Sequence, residues 1–322
     1  MKQVPELKRA VIEVFGGCNY ACKMCPQTTG RGSDWTKMMP LGLFKDILDQ
    51  LPGKPIINLE GSGEPTILEN LSDYIHACAD KGFKSYMFTN GSKFENTQMR
   101  KCIDAGLNFI RFSVIGYDRK TYQQWMNVDN FDKIKKNVFE TKKYILSTDS
   151  DCIISSYHLL INDLNDVQKY RKNFIDKLGI IGYIWKMHNW SGNIDLEFKR
   201  KKTERKSCGR PFAPEITIRA GGPNGLHATV TPCCQTMGPP REELSVLGNL
   251  ETSSLSDIWY GEKYDQLRHA HATKDFDSVE YCKDCDFLYD DNEVLVWSND
   301  KTARPYHMLG TDFMLDEYRE GI

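Results

Sequence analysis

Cys18-Asn19-Tyr20-Ala21-Cys22-Lys23-Met24-Cys25 places three thiols within eight residues, directly after the apolar run Ala10-Val11-Ile12-Glu13-Val14-Phe15 and the pair Gly16-Gly17. A strand that runs into a glycine-rich loop lets thiolates converge without interference from a helix or a sheet ladder. Thiolates are soft ligands that favour iron–sulfur clusters or zinc. A closed zinc site or a fully ligated four-iron cluster takes four protein ligands, so a local set of three leaves one metal position open to a reactant. The plainer readings of the same residues are a zinc knuckle or three core thiols.

Downstream of this loop, apolar strands and helices alternate. Phe44, Ile47, Leu48 and Leu51 mark a helix over residues 41–51, closed by Pro52-Gly53, and Ile56 to Glu60 reads as a strand ending at glycines. Helices follow at Leu71–Ala79, around Met99–Ile103, at Phe131–Leu146 and at Leu164–Leu178. Strands are expected at Lys84–Thr89, Phe109–Ser113, Cys152–Leu160 and Ile180–Met187. Six such units predict an α/β chain with a parallel sheet, which right-handed crossovers curl toward a barrel. Sites in such sheets gather at the carboxyl ends of the strands. The cysteines, Gly61-Ser62-Gly63-Glu64-Pro65, Thr89-Asn90-Gly91 and Ser113 all fall there.

The C-x3-C-x2-C spacing resembles the radical S-adenosylmethionine (SAM) enzymes, whose three cysteines after the first barrel strand hold a [4Fe–4S] cluster. That resemblance implies a partial (β/α)6 TIM-like barrel. It also implies that the unique iron chelates SAM and that the sulfonium is cleaved to a 5′-deoxyadenosyl radical, which abstracts hydrogen from substrate. The family often has an aromatic residue before the third cysteine; here it is Met24, whose polarisable thioether can contact the adenine face. Gly63 and Glu64 match the glycine–glutamate motif near the SAM amino group. Ser113 and Asn90 match polar positions on strands four and three.

A second group, Cys208, Cys233-Cys234 and Cys282-Lys283-Asp284-Cys285, follows in about 80 residues, and on spacing alone it suits zinc or another cluster equally. Expected strands at Ile216–Arg219 and His227–Val230 flank a glycine-rich turn, and an interrupted helical pattern runs from Ser254 to His269. The run from Cys208 through Cys282-x2-Cys285 resembles the SPASM/twitch extension of radical SAM enzymes. With no cysteine after Cys285, the shorter twitch form is implied, a small α+β domain with one auxiliary [4Fe–4S] cluster held by Cys208, Cys233, Cys282 and Cys285. Adjacent residues on extended chain point to opposite sides, so of Cys233 and Cys234 one is expected to face away from the metal.

The chain is thus expected to divide into a barrel at 1–195, an auxiliary-cluster domain at 196–290 and an extension at 291–322. The extension carries Trp297, Tyr306 and Phe313, placed to cap the barrel mouth. Cys78, Cys102 and Cys152 lie on apolar stripes and read as core. His188 and Trp190 are substrate-contact candidates beside Tyr157, His158 and Trp185. Arg111 shares a face with Ser113 and needs an anionic partner.

The 42 Lys and Arg balance 44 Asp and Glu, which gives no field for nucleic acid, and Lys199-Arg200-Lys201-Lys202 reads as a solvated linker. No apolar stretch spans a bilayer and no signal core is present, so a cytoplasmic enzyme with reduced thiols is expected. The resulting expectation is a radical SAM oxidoreductase that dehydrogenates a small metabolite, served by a flavodoxin or ferredoxin as electron donor. A peptide-modifying maturase is the alternative, weakened by the lack of room for a leader-binding domain before the first strand. A zinc-bearing interaction protein is the reading from another class.

Overall fold

A computed structural model describes residues 3–160, 164–195, 204–289 and 294–297 of the chain. Six strands, β1 (Arg9–Ile12), β2 (Ile56–Leu59), β3 (Ser85–Thr89), β4 (Phe109–Ser113), β5 (Ile153–Leu160) and β6 (Ile181–Lys186), pair in parallel in sequence order. The helices between them are α1 (Leu41–Gln50), α2 (Leu71–Asp80), α3 (Asn96–Asp104), α4 (Arg119–Met126), α5 (Phe131–Ser147) and α6 (Leu164–Tyr170). The expected period holds: α1 buries Phe44, Ile47 and Leu48, and α5 buries Phe131, Ile134, Val138 and Ile145.

Sheet order shows how the barrel stays open. β6 does not close onto β1; instead β1 pairs in parallel with β7 (Glu215–Arg219), with Arg9 opposite Glu215 and Ile12 opposite Ile218. β8 (Thr229–Thr231) and β9 (Gly248–Asn249) continue the same sheet antiparallel, and β10 (Val294–Trp297) lies antiparallel on β6 at the other edge. The hairpin read from the sequence is present, but it extends the barrel sheet rather than forming one of its own. The interrupted helical pattern resolves into α8 (Leu255–Trp259) and α9 (Glu262–Thr273), broken at Tyr260-Gly261, after the short α7 (Arg241–Leu244).

Cys78, Cys102 and Cys152 are core, as expected. Lys199 to Lys202 and the tail beyond β10 lie outside the described residues. Among the described residues no helix is long and apolar enough to cross a membrane.

Candidate active site

Lumen-facing side chains alternate along each strand, and they separate the neighbouring candidates of β5. Tyr157 and Leu159 line a cavity of about 220 Å³ at the strands' carboxyl ends. His158 points outward, fully buried, its ring stacked on Tyr170 at 4.4 Å, and burial lowers its pKa to about 4. It is a core histidine. Arg111 is also buried, beneath the cavity, and its guanidinium packs on Tyr183 at 3.5 Å and on Phe88 at 4.9 Å. Aromatic faces, not a carboxylate within ion-pair distance, meet this cation among the described residues.

Cys18, Cys22 and Cys25 line the cavity together with Met24, Gly63, Glu64, Asn90, Ser113, His188 and Trp190, so the expected site is brought together in one place. The loop that carries the thiols is held from several sides. Asn90 Nδ2 donates to Asn19 Oδ1 at 2.9 Å, the Lys23 backbone amide to the Trp125 carbonyl at 2.8 Å, and Trp190 Nε1 to the Met24 carbonyl at 2.8 Å. α4 is fixed in place for this by a capping box in which the Thr121 amide donates to Asp118 Oδ1 at 2.8 Å. Met126, at its end, puts its Sδ 3.8 Å from Cys22 Sγ.

Burial raises the pKa of all three thiols, that of Cys18 to about 12, and charge on Cys18 or Cys25 would raise Cys22 further. Left alone they stay protonated at neutral pH, and the positive charge of a metal group would be needed to make them thiolates.

Gly63 is required by close approach. A Cβ there would lie 2.0 Å from the Phe15 carbonyl oxygen and 2.6 Å from that of Gly17, while the Glu64 amide donates to the Gly17 carbonyl at 2.8 Å. Gly63→Ala is therefore expected to shift the cysteine loop and cost about 1–3 kcal/mol in a denaturant melt.

Glu64, on the cavity wall, also has a structural duty. Oε1 accepts from the Thr66 amide at 3.1 Å and from the hydroxyls of Thr66 and Thr89 at 2.6 Å each, and Oε2 from the Asn90 amide at 2.6 Å. The carboxylate clamps the loop after β2 to the end of β3, and only Oε2 keeps acceptor capacity toward the cavity.

Several cavity residues escaped the sequence reading, Glu60, Gln235 and Met237 among them. Glu60 directly follows β2 and lines the cavity; its one described hydrogen bond is from Asn58 Nδ2 at 3.0 Å, and burial raises its pKa. Gln235 and Met237 follow the Cys233-Cys234 pair. An acid directly after a buried strand was the available signal for Glu60.

The adjacent cysteines point apart. Cys234 lines the large cavity, whereas Cys233 joins Cys208, Cys282 and Cys285 around a second, much smaller one. Burial raises all four of those thiols, Cys233 to about 12. Among the described residues no three His, Cys, Asp or Glu side chains are gathered tightly enough for a single metal ion. Both donor sets are made of thiols, soft ligands of the kind that hold iron–sulfur clusters, and in that chemistry they suit a cluster.

A buried ionic network joins the parts of the chain that carry the two sets. Arg31 in the cysteine loop meets Glu242 at 2.5 Å and Glu13, just beyond β1, at 3.3 Å; Arg219 of β7 approaches Glu13 at 3.6 Å. Arg219 also reaches Ser62 Oγ at 3.3 Å and the Cys234 carbonyl at 3.2 Å.

Comparison with known proteins agrees with this geometry. The radical SAM superfamily model matches residues 12–168, and the SPASM model, an iron–sulfur cluster-binding domain, matches residues 223–286. The chain belongs to the radical SAM superfamily and carries a SPASM-type domain behind its barrel. Its cofactors are accordingly a SAM-binding [4Fe–4S] cluster, SAM and an auxiliary cluster.

A tungsten-containing aldehyde ferredoxin oxidoreductase cofactor-modifying protein of Pyrococcus furiosus is 24% identical, over 92% of this chain and 94% of its own. An S-adenosyl-L-methionine-dependent 2-deoxy-scyllo-inosamine dehydrogenase of Niallia circulans is 19% identical, over 85% of this chain and 90% of its own. Among solved structures, BtrN in complex with AdoMet and 2-DOIA superposes with a TM-score of 0.59 at 17% identity, covering 88% of this chain and 94% of that one. Streptococcus suis SuiB bound to precursor peptide SuiA gives 0.61 at 14% identity, covering 81% and 66%.

Proposed function

We propose that this protein is a radical SAM dehydrogenase that oxidises an alcohol or amine carbon of a small metabolite, with a reduced flavodoxin- or ferredoxin-type protein as electron donor. The observation that carries the reading is the shared wall. The cavity that holds the three-cysteine loop is bounded by Cys234, whose neighbour Cys233 lines the second cysteine cavity. A dehydrogenation needs both a hydrogen-atom acceptor and a one-electron acceptor close to one substrate carbon. Two relatives matched nearly end to end are named for a dehydrogenase and for the modification of a cofactor, which favours a small molecule over a peptide.

When bound, the cofactors supply one-electron cleavage of SAM, a 5′-deoxyadenosyl radical that takes hydrogen from substrate carbon, and an auxiliary acceptor for the second electron. The chain's residues do the rest. Cys18, Cys22 and Cys25 hold the first cluster, and Cys208, Cys233, Cys282 and Cys285 hold the second. Met24, Gly63, Glu64, Asn90 and Ser113 bind SAM, while His188 and Trp190 contact substrate.

Glu60 takes the proton released from the substrate O–H or N–H. Unlike Glu64, it meets the cavity with most of its acceptor capacity unspent, and its raised pKa brings it nearer to working pH.

Two measurements test this. Anaerobically reconstituted protein should hold about eight iron per chain and, with dithionite, release 5′-deoxyadenosine from SAM. Iron for one cluster only, or stoichiometric zinc, would overturn the two-cluster assignment. In Glu60→Gln, 5′-deoxyadenosine formation should persist while oxidised product per 5′-deoxyadenosine falls by about a hundredfold. An unchanged ratio would remove Glu60 from the reaction.

A further inference from the structure

Arg210 lies between the two cysteine cavities. It is 3% exposed and lines the smaller cavity alongside Cys208, Cys233, Cys282 and Cys285. Its Nη1 donates to Cys234 Sγ at 3.3 Å, on the wall of the larger cavity, and stands 3.9 Å from Glu215 Oε1 of β7. The face of Phe287 lies 5.4 Å from its guanidinium carbon. Nε and Nη2, both buried, meet no acceptor among the described residues.

A guanidinium cannot shed its proton to escape such a position, and a buried N–H with no acceptor forfeits the hydrogen bond it made to water. Glu215 does not settle the account, because it is shared with Arg9 at 2.5 Å. A fixed cation with spare donors beside four thiols is explained by an anionic group of high charge density held by those thiols. Hydrogen bonds and positive charge near such a group favour its more reduced, more negative state.

We propose that Arg210 is a positioning residue that poises the auxiliary cluster, raising its reduction potential while its contact with Cys234 ties that charge to the wall facing substrate. This inference rests on the assignment of Cys208, Cys233, Cys282 and Cys285 to the auxiliary cluster. It would make the second set an electron acceptor by construction, suited to an oxidation.

Full-length reconstituted enzyme, titrated anaerobically and followed by electron paramagnetic resonance, tests it in three forms: native, Arg210→Gln and Arg210→Lys. With iron content unchanged, Arg210→Gln should lower the auxiliary potential so that its reduced-to-oxidised ratio at fixed poise falls by roughly tenfold, while the signal that responds to SAM stays put. Arg210→Lys keeps the charge but loses the planar fork, and its ratio should fall between the other two. Equal potentials in all three forms, or an equal shift of both signals, would overturn the role. If Arg210→Gln fails to hold iron, the lysine variant alone decides, by moving only the auxiliary signal or not. A native protein with one cluster signal would instead overturn the underlying assignment, which iron analysis shows independently.

Discussion

Cys22→Ala is expected to bring 5′-deoxyadenosine formation down to a reagent blank and to remove one cluster's iron, about four atoms per chain, leaving the other set loaded. The cause is local. Three thiols share one cavity wall, each is desolvated, and each would be ionised only by a metal group it bound, so losing one would leave two ligands in an apolar setting. Loading must expel the protons held by these thiols, and reconstitution should weaken as pH falls. Cys102→Ala is the matched control. That thiol is buried in the core away from either cavity, and its loss should cost about 1 kcal/mol in a melt with cleavage of SAM intact.

The second large effect is on folding. Arg31→Met should destabilise the protein by about 3–5 kcal/mol, because it strands Glu13 and Glu242, both essentially buried, without their shared cation. Burial pushes Glu13 up, but Arg31, Arg219 and the amides of Ser62 and Ala220 more than offset this, so its pKa lies below the ordinary carboxylate value of 4.5. A carboxylate depressed in the folded state contributes stability above its unfolded pKa and loses it as pH falls through the folded value. Native protein should therefore lose this contribution only below about pH 4.5. Burial pushes Glu242 up, and the charge of Glu13 adds to this, against the opposing pull of Arg31 and Arg219, so Glu242 opposes rather than creates this acid limb. Denaturant unfolding at pH 7 and pH 4 should show the difference between native and Arg31→Met shrinking as Glu13 becomes protonated.

The periodicity of the sequence reached most of the barrel and nearly all of the first metal loop, since both are written in local spacing. Pairing across long separations was not legible. Nothing about Arg31 announces Glu242, 211 residues away, and nothing in Ile216–Arg219 says that it lies parallel to β1 as well as in a hairpin. Alternation along extended chain foretold that Cys233 and Cys234 would diverge, but only the three-dimensional structure shows which cavity each meets. The role of Glu64 was half legible: its place is as expected, while the four donors that occupy its oxygens come from residues whose convergence no spacing rule encodes.

The register of β7 against β1 has a practical consequence. A fragment stopped anywhere before Glu215 would leave the first barrel strand with a bare row of amides and carbonyls on one edge, with Arg9 deprived of Glu215 and Glu13 of Arg219. Such a fragment should self-associate rather than behave as a free-standing enzyme core, so grafting a different rear module onto this barrel must begin by restoring a strand at that margin.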